Sequence, residues 1–166
     1  MSTETATYDS RPDTLAHIAR VRELLENCTA RLTFRGAAHD ASKLVDPEMA
    51  TFDTCTLKLR AMAYGSAEYK AALAELKPAL DHHYANNSHH PEHYPNGVDG
   101  MSLFDVLEMF VDWKAATERM QGGGDIWRSI QINAERFRLS PQMVSILENT
   151  AREMGWPKKL PEFPKS

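Results

Sequence analysis

The chain has 166 residues, 42% of them hydrophobic, with a net charge of −4 and a pI near 6.0. That is enough length and apolar content for one domain with a real core. The mild acidity supplies no basic field for duplex nucleic acid, and no apolar run approaches the ~18 residues of a membrane span. A single-stranded or nucleotide ligand stays open, because local basic groups suffice to meet a phosphate. Met1 to Ser10 is polar and lacks a signal-peptide core, so a cytoplasmic location is expected. Cys28 and Cys55 have no Cys or His at zinc-finger spacing and read as two buried free thiols in a reducing cytoplasm.

Leu15, Ile18, Val21, Leu24, Leu25, Cys28 and Leu32 recur at helical spacing and predict a first helix from about Pro12 to Leu32. His17 shares a face with Val21, Leu24 and Cys28 and is expected to point inward. Gly36 should break the pattern, placing His39-Asp40 at the start of a short second helix or in the turn before it. Asp46-Pro47-Glu48 reads as N-cap, first-turn proline and acidic first turn, opening a helix to about Tyr64 that Gly65 ends. Ser66 caps an Ala-rich helix, which Pro78 should kink or restart before His82. From Asn86 to Gly100 the residues are those of turns. Ser102 and Asp105 make a capping-box-like start for a helix to about Met120. Gly122-Gly123-Gly124 is a break, Asp125 caps a helix to about Leu139, and Ser140-Pro141 opens a last helix that Gly155 closes. No strand and no repeat is apparent. The expected fold is all-α, a single bundle of six or seven helices over residues 11–156, with loose ends at 1–10 and 157–166.

The chain has seven histidines, unevenly placed. His17 stands alone, His39 is followed directly by Asp40, and His82, His83, His89, His90 and His93 crowd together before Asp112. Imidazole and carboxylate in such clusters are the donors of a divalent transition-metal site. Successive residues at a helix start point about 100° apart, so His39 and Asp40 can reach one metal, or two if Asp40 bridges. Singly, each residue has a bland reading: His17 as a core histidine, His39-Asp40 as a common dipeptide, Asp112 as a solvated acid on a stripe with Asp105 and Glu108. Together they favour a metal site. One or two of the five crowded histidines could complete a second metal site, and others could orient a substrate or act as general acid. Lys43, one turn beyond Asp40, could neutralise a phosphate; Arg20 and Arg119 could line the same cleft, with a surface salt bridge the favoured reading for Arg119. No phosphate-cradling Gly loop and no nucleophile elbow is present.

His17, His39-Asp40-x-Ser42-Lys43, a His-rich stretch and Asp112, in that order, resemble the HD superfamily of metal-dependent phosphohydrolases. Gly is commoner there at the place of Ser42. The run from His89-His90 to Tyr94-Pro95-Asn96-Gly97, and Asp112-Trp113 with the residues after it, are loosely similar to the cyclic-dinucleotide phosphodiesterase branch. The spacing from His82 to His89 is shorter than that branch's full binuclear pattern. The chain is more closely similar to a family of small HD-like proteins common in bacteriophages. The shared pattern is His39-Asp40-x-Ser42-Lys43, His83-Tyr84-x-x-Asn87-x-His89-His90-x-x-His93 and Glu108-Met109-x-x-Asp112-Trp113, over roughly Leu15 to Thr117. That family has no settled activity, so the implied chemistry is the superfamily's.

The resemblance implies an HD-like helical domain in which His17, His39, Asp40 and Asp112 bind a first metal, with His89 and His90 as further ligands. Mn, Fe, Co, Ni or Zn would serve, one or two per chain. Hydroxide from a metal-activated water would attack phosphorus while Lys43 and Arg20 hold the non-bridging oxygens. Glu108, or a histidine such as His83, would position the water or protonate the leaving group. The expected activity is hydrolysis of a small-molecule phosphate ester, a nucleotide above all, by a phage-encoded protein in the host cytoplasm. Two other classes fit the same residues: a di-iron oxygenase of the HD type, and a non-catalytic protein stapled by metal that binds a host partner. A homodimer through the C-terminal helices is also compatible.

Overall fold

The computed structural model describes residues 8–61, 67–119 and 124–158. They form six α-helices and no strand, so the fold is all-α. The chain divides into two units, Met1–Ala38 and His39–Ser166.

Among the described residues, the first unit holds one helix, α1, Arg11–Ala38. It differs from the sequence expectation in two ways. It runs through Gly36, because one glycine costs only about 1 kcal/mol against alanine and the residues around it continue the helix. None of its residues is buried, and Leu15, Ile18, Val21, Leu24 and Leu25 are all exposed. His17, on the same stripe, is exposed too.

The second unit begins with the turn at His39-Asp40 and a short 3-10 helix, Ala41–Leu44. Helix α2, Glu48–Ala61, follows, and then α3, Ala67–Asn86. The expected end of α2 at Tyr64-Gly65 and the Ser66 cap lie outside the described residues. Pro78 sits inside α3 and does not interrupt it. Its missing N–H removes one helical bond, a local cost of about 3 kcal/mol. The packing of α3 against α2 offsets it: Leu76 and Ala79, either side of Pro78, are buried with Cys55 against Phe52 and Leu80.

Asn87 to Ser102 is turn structure with two 3-10 turns, Pro91–His93 and Gly97–Gly100. Gly100 is needed there, since a Cβ would stand 2.4 Å from Asn96 Oδ1 and 2.8 Å from Tyr94 Cβ. Tyr94 in turn donates its hydroxyl to Asp105 (2.9 Å), as Ser88 does (2.7 Å), which ties the turn segment to the next helix. That helix is α4, Leu103–Glu118, opened by the full Ser102/Asp105 capping box. Helix α5, Ile126–Phe137, is capped by Asp125, and α6, Pro141–Glu153, by Ser140. Gly122 and Gly123 of the expected break lie outside the described residues. Val106, Met109 and Phe110 of α4 form one core with Ile126, Ile130, Leu147 and Ala151 of α5 and α6. Trp113 stacks on Phe137, 6.2 Å between ring centres. Among the described residues no helix is long and apolar enough to cross a membrane.

Candidate metal centre

Asp40 is the hub. It caps the 3-10 helix from a left-handed backbone conformation, φ 56°, which Asp and Asn adopt more readily than other side chains. Its Oδ1 lies 3.3 Å from His83 Nε2 on α3 and 3.5 Å from His89 Nε2 in the turn segment. His83 Nε2 is 2.9 Å from His90 Nε2. These four residues place one ligand atom each within 4.8 Å of all the others. With metal–ligand bonds of about 2.1 Å, neighbouring ligands of an octahedral or tetrahedral ion stand about 2.9–3.4 Å apart, so the donors fit one ion. Asp40 Oδ1 and His89 Nε2 are buried and have no hydrogen-bond partner among the described residues.

Two further groups flank the hub. His39 Nε2 is 3.6 Å from Asp40 Oδ2 and 3.6 Å from Asp112 Oδ1 on α4. Lys43 Nζ donates to Asp40 Oδ2 at 2.6 Å, with its ammonium 5.6 Å from the centre of the Phe52 ring. The centre is closed on one side and open on the other. The His83 and His89 side chains are 2% exposed, while those of His39, Asp112 and Lys43 are 28%, 24% and 37% exposed.

Two carboxylates stand behind the histidines. Glu108 Oε1 accepts from His39 Nδ1 (2.8 Å) and lies 3.1 Å from His89 Nδ1. Glu108, expected to position a water or act as acid, thus stands beside two ring nitrogens. Glu48, fully buried, meets His82 Nδ1 with Oε1 (2.7 Å) and His83 Nδ1 with Oε2 (2.9 Å). Glu48 was legible only as the acidic first turn of α2. Its signal is weak: a carboxylate eight residues after Asp40 whose preceding proline marks a helix start.

The electrostatics follow from this packing. Asp112 raises His39 to about 9, helped by Glu108 and Asp40 and opposed by burial. Burial pushes His89 and His90 down to about 4, and neighbouring imidazoles push the same way. Both rings therefore keep a lone pair for a cation at neutral pH. Burial pulls the Asp40 carboxyl up, but His83 and Lys43 outweigh it and hold it below the usual carboxylate range. Asp112 is likewise raised by burial and lowered further by His39.

Of the residues singled out in the sequence, His39, Asp40, Lys43, His83, His89, His90, Glu108 and Asp112 come together here. His17 and Arg20 lie on α1 in the first unit, where Arg20 pairs with Glu23 at 2.6 Å. His93 bonds the Tyr84 carbonyl (2.8 Å) and is outside the four-residue cluster, as is His82. Arg119 is exposed at the end of α4.

The model of a family described as a family of unknown function, DUF5662, matches residues 6–153, and the chain belongs to that family. Comparison with curated proteins gave no match, and neither did comparison with solved structures.

Proposed function

We propose that this member of the DUF5662 family is a metal-dependent phosphohydrolase of the HD type, acting on a nucleotide or related phosphate ester, with a metal held by Asp40, His83, His89 and His90. The observation that supports this most is the pair of buried atoms, Asp40 Oδ1 and His89 Nε2, 3.5 Å apart and without hydrogen-bond partners among the described residues. A bare carboxylate oxygen beside a bare ring nitrogen is costly in a protein interior unless a cation joins them. Three imidazoles to one carboxylate favour Fe, Co, Ni or Zn over Mn, and over Mg or Ca. When bound, such an ion supplies hydroxide at neutral pH by lowering the pKa of water to about 7.

The chain's own residues handle the substrate. Lys43 sets an ammonium beside Asp40, where it neutralises non-bridging phosphate oxygens. His39, braced by Glu108 through Nδ1 and facing Asp112 through Nε2, is placed to return a proton to the leaving oxygen. His83 and His89 keep water out on the closed side. The open side, lined by His39, Lys43 and Asp112, gives a phosphate ester room to approach. A purely structural metal would have a closed shell instead, so this opening supports catalysis. A cytoplasmic setting and a phage origin belong to the same reading.

Elemental analysis of protein purified without chelator should find one or two transition-metal ions per chain. Asp40→Asn should lose that metal, and with it hydrolysis across a panel of nucleoside phosphates, while its circular dichroism stays helical. Full activity in Asp40→Asn, or a wild-type protein that takes up no metal, would overturn the proposal. Two irons per chain with oxygen consumption would point to an oxygenase.

A further inference from the structure

We infer that Glu48 is a positioning residue for this centre: it accepts from His83 Nδ1–H and holds the ring with its Nε2 edge turned to Asp40 and His90. The inference rests on the metal reading for its purpose, but its geometry stands by itself.

Glu48 Oε2 meets His83 Nδ1 at 2.9 Å in a fully buried setting. An ionised carboxylate only accepts, so the ring nitrogen must donate. The other groups near Nδ1 do not compete for it. Ser42 Oγ lies 3.3 Å away, but its single hydrogen goes to Glu48 Oε2 at 3.0 Å. Asn87 Nδ2 lies 3.0 Å away, and its two hydrogens go to Ser42 Oγ and the His83 carbonyl, each at 2.8 Å. Ser42, Asn87 and Glu48 thus form one network around a single ring nitrogen.

On its other edge, His83 Nε2 lies 2.9 Å from His90 Nε2 and 3.3 Å from Asp40 Oδ1. The Nε2 edge of His83 is therefore the one that Glu48 turns to the centre. Outer carboxylates of this kind set the orientation and basicity of imidazole ligands. Glu108 makes the matching contact behind His39 and His89, so each of the three buried or half-buried rings is braced from outside.

Nitrogen-resolved NMR of the histidine side chains in metal-free protein reads the tautomer directly. His83 should show a protonated Nδ1. In Glu48→Gln, which keeps the volume, the His83 signals should shift towards a mixture. Affinity for Co2+, measured against a competing chelator, should fall roughly 10–100-fold with an altered visible spectrum. Glu48→Asp, which keeps the acceptor, should retain the wild-type tautomer and recover part of that affinity. A wild-type His83 with a bare Nδ1 would overturn the inference, as would Glu48→Gln binding Co2+ with unchanged affinity and spectrum. Wild-type protein that takes up no Co2+ would sink the metal reading alone, and the tautomer would still decide the role of Glu48.

Discussion

The histidine centre and the apolar core share helix α4 and are held by different forces. On one side of α4, Glu108 and Asp112 meet His39 and His89 through directed contacts of 2.8 to 3.6 Å. On another, Met109 and Phe110 are packed with Ile130 and Leu147, all nearly inaccessible to water. Successive residues on a helix point about 100° apart, so neighbours in sequence can serve the two regions separately. Core energy is non-directional and scales with buried area. The energy of the centre depends on which atom carries a proton. One region supplies stability, the other a definite arrangement of donors.

The comparison can be broken first at Phe110. Phe110→Ala should lower stability by about 3–5 kcal/mol, read by urea unfolding, because a fully buried ring is replaced by a cavity. Its folded fraction should still take up Co2+ with wild-type affinity. If affinity dropped together with stability, the two regions would be one cooperative device.

Acid and base should act on the centre with a smaller and broader effect. In metal-free protein His89 and His90 titrate at about 4, against an ordinary 6.5, so the unfolded chain takes protons first. Stability is then lost as pH falls from about 6.5 through 4. His39, raised to about 9, works oppositely: its contribution is complete below 6.5 and is lost as pH climbs through about 9. Melting temperature in the presence of chelator should pass through a maximum between those limits. Phe110→Ala should keep the shape of that profile at a lower temperature. A profile that rises steadily to pH 9 would contradict the assignment of His39.

The smallest expected effect lies in the core's supports. Ser140 accepts from the Met143 N–H at 3.2 Å to cap α6. Ser140→Ala should cost about 1 kcal/mol in thermal melts and leave Co2+ uptake untouched.

What was legible in the sequence was local. The caps at Ser102/Asp105, Asp125 and Ser140 involve partners two or three residues away, and each forms as read. Asp40, Lys43, His89 and His90 were visible because their chemical types cluster along the chain. Glu48 was not, since its partners His82 and His83 are 34 and 35 residues distant. Gly36, which α1 runs through, and Pro78, after which α3 continues without a restart, show a related limit. Their local cost shows in the sequence, whereas the packing of α2 on α3 around Pro78 does not. The stripe on α1 shows a similar limit: periodicity marks an apolar side without saying what covers it.

The left-handed backbone at Asp40 has a bearing on how position 40 should be scanned. Most side chains resist that conformation by roughly 1–2 kcal/mol, and Asn is among the few that tolerate it. An alanine scan would therefore confuse a misplaced main chain with a missing carboxylate. Asparagine removes the charge and spares the turn, whereas glycine removes the side chain and also loosens the turn. Compared side by side, the two substitutions separate what the residue donates from where the backbone aims it.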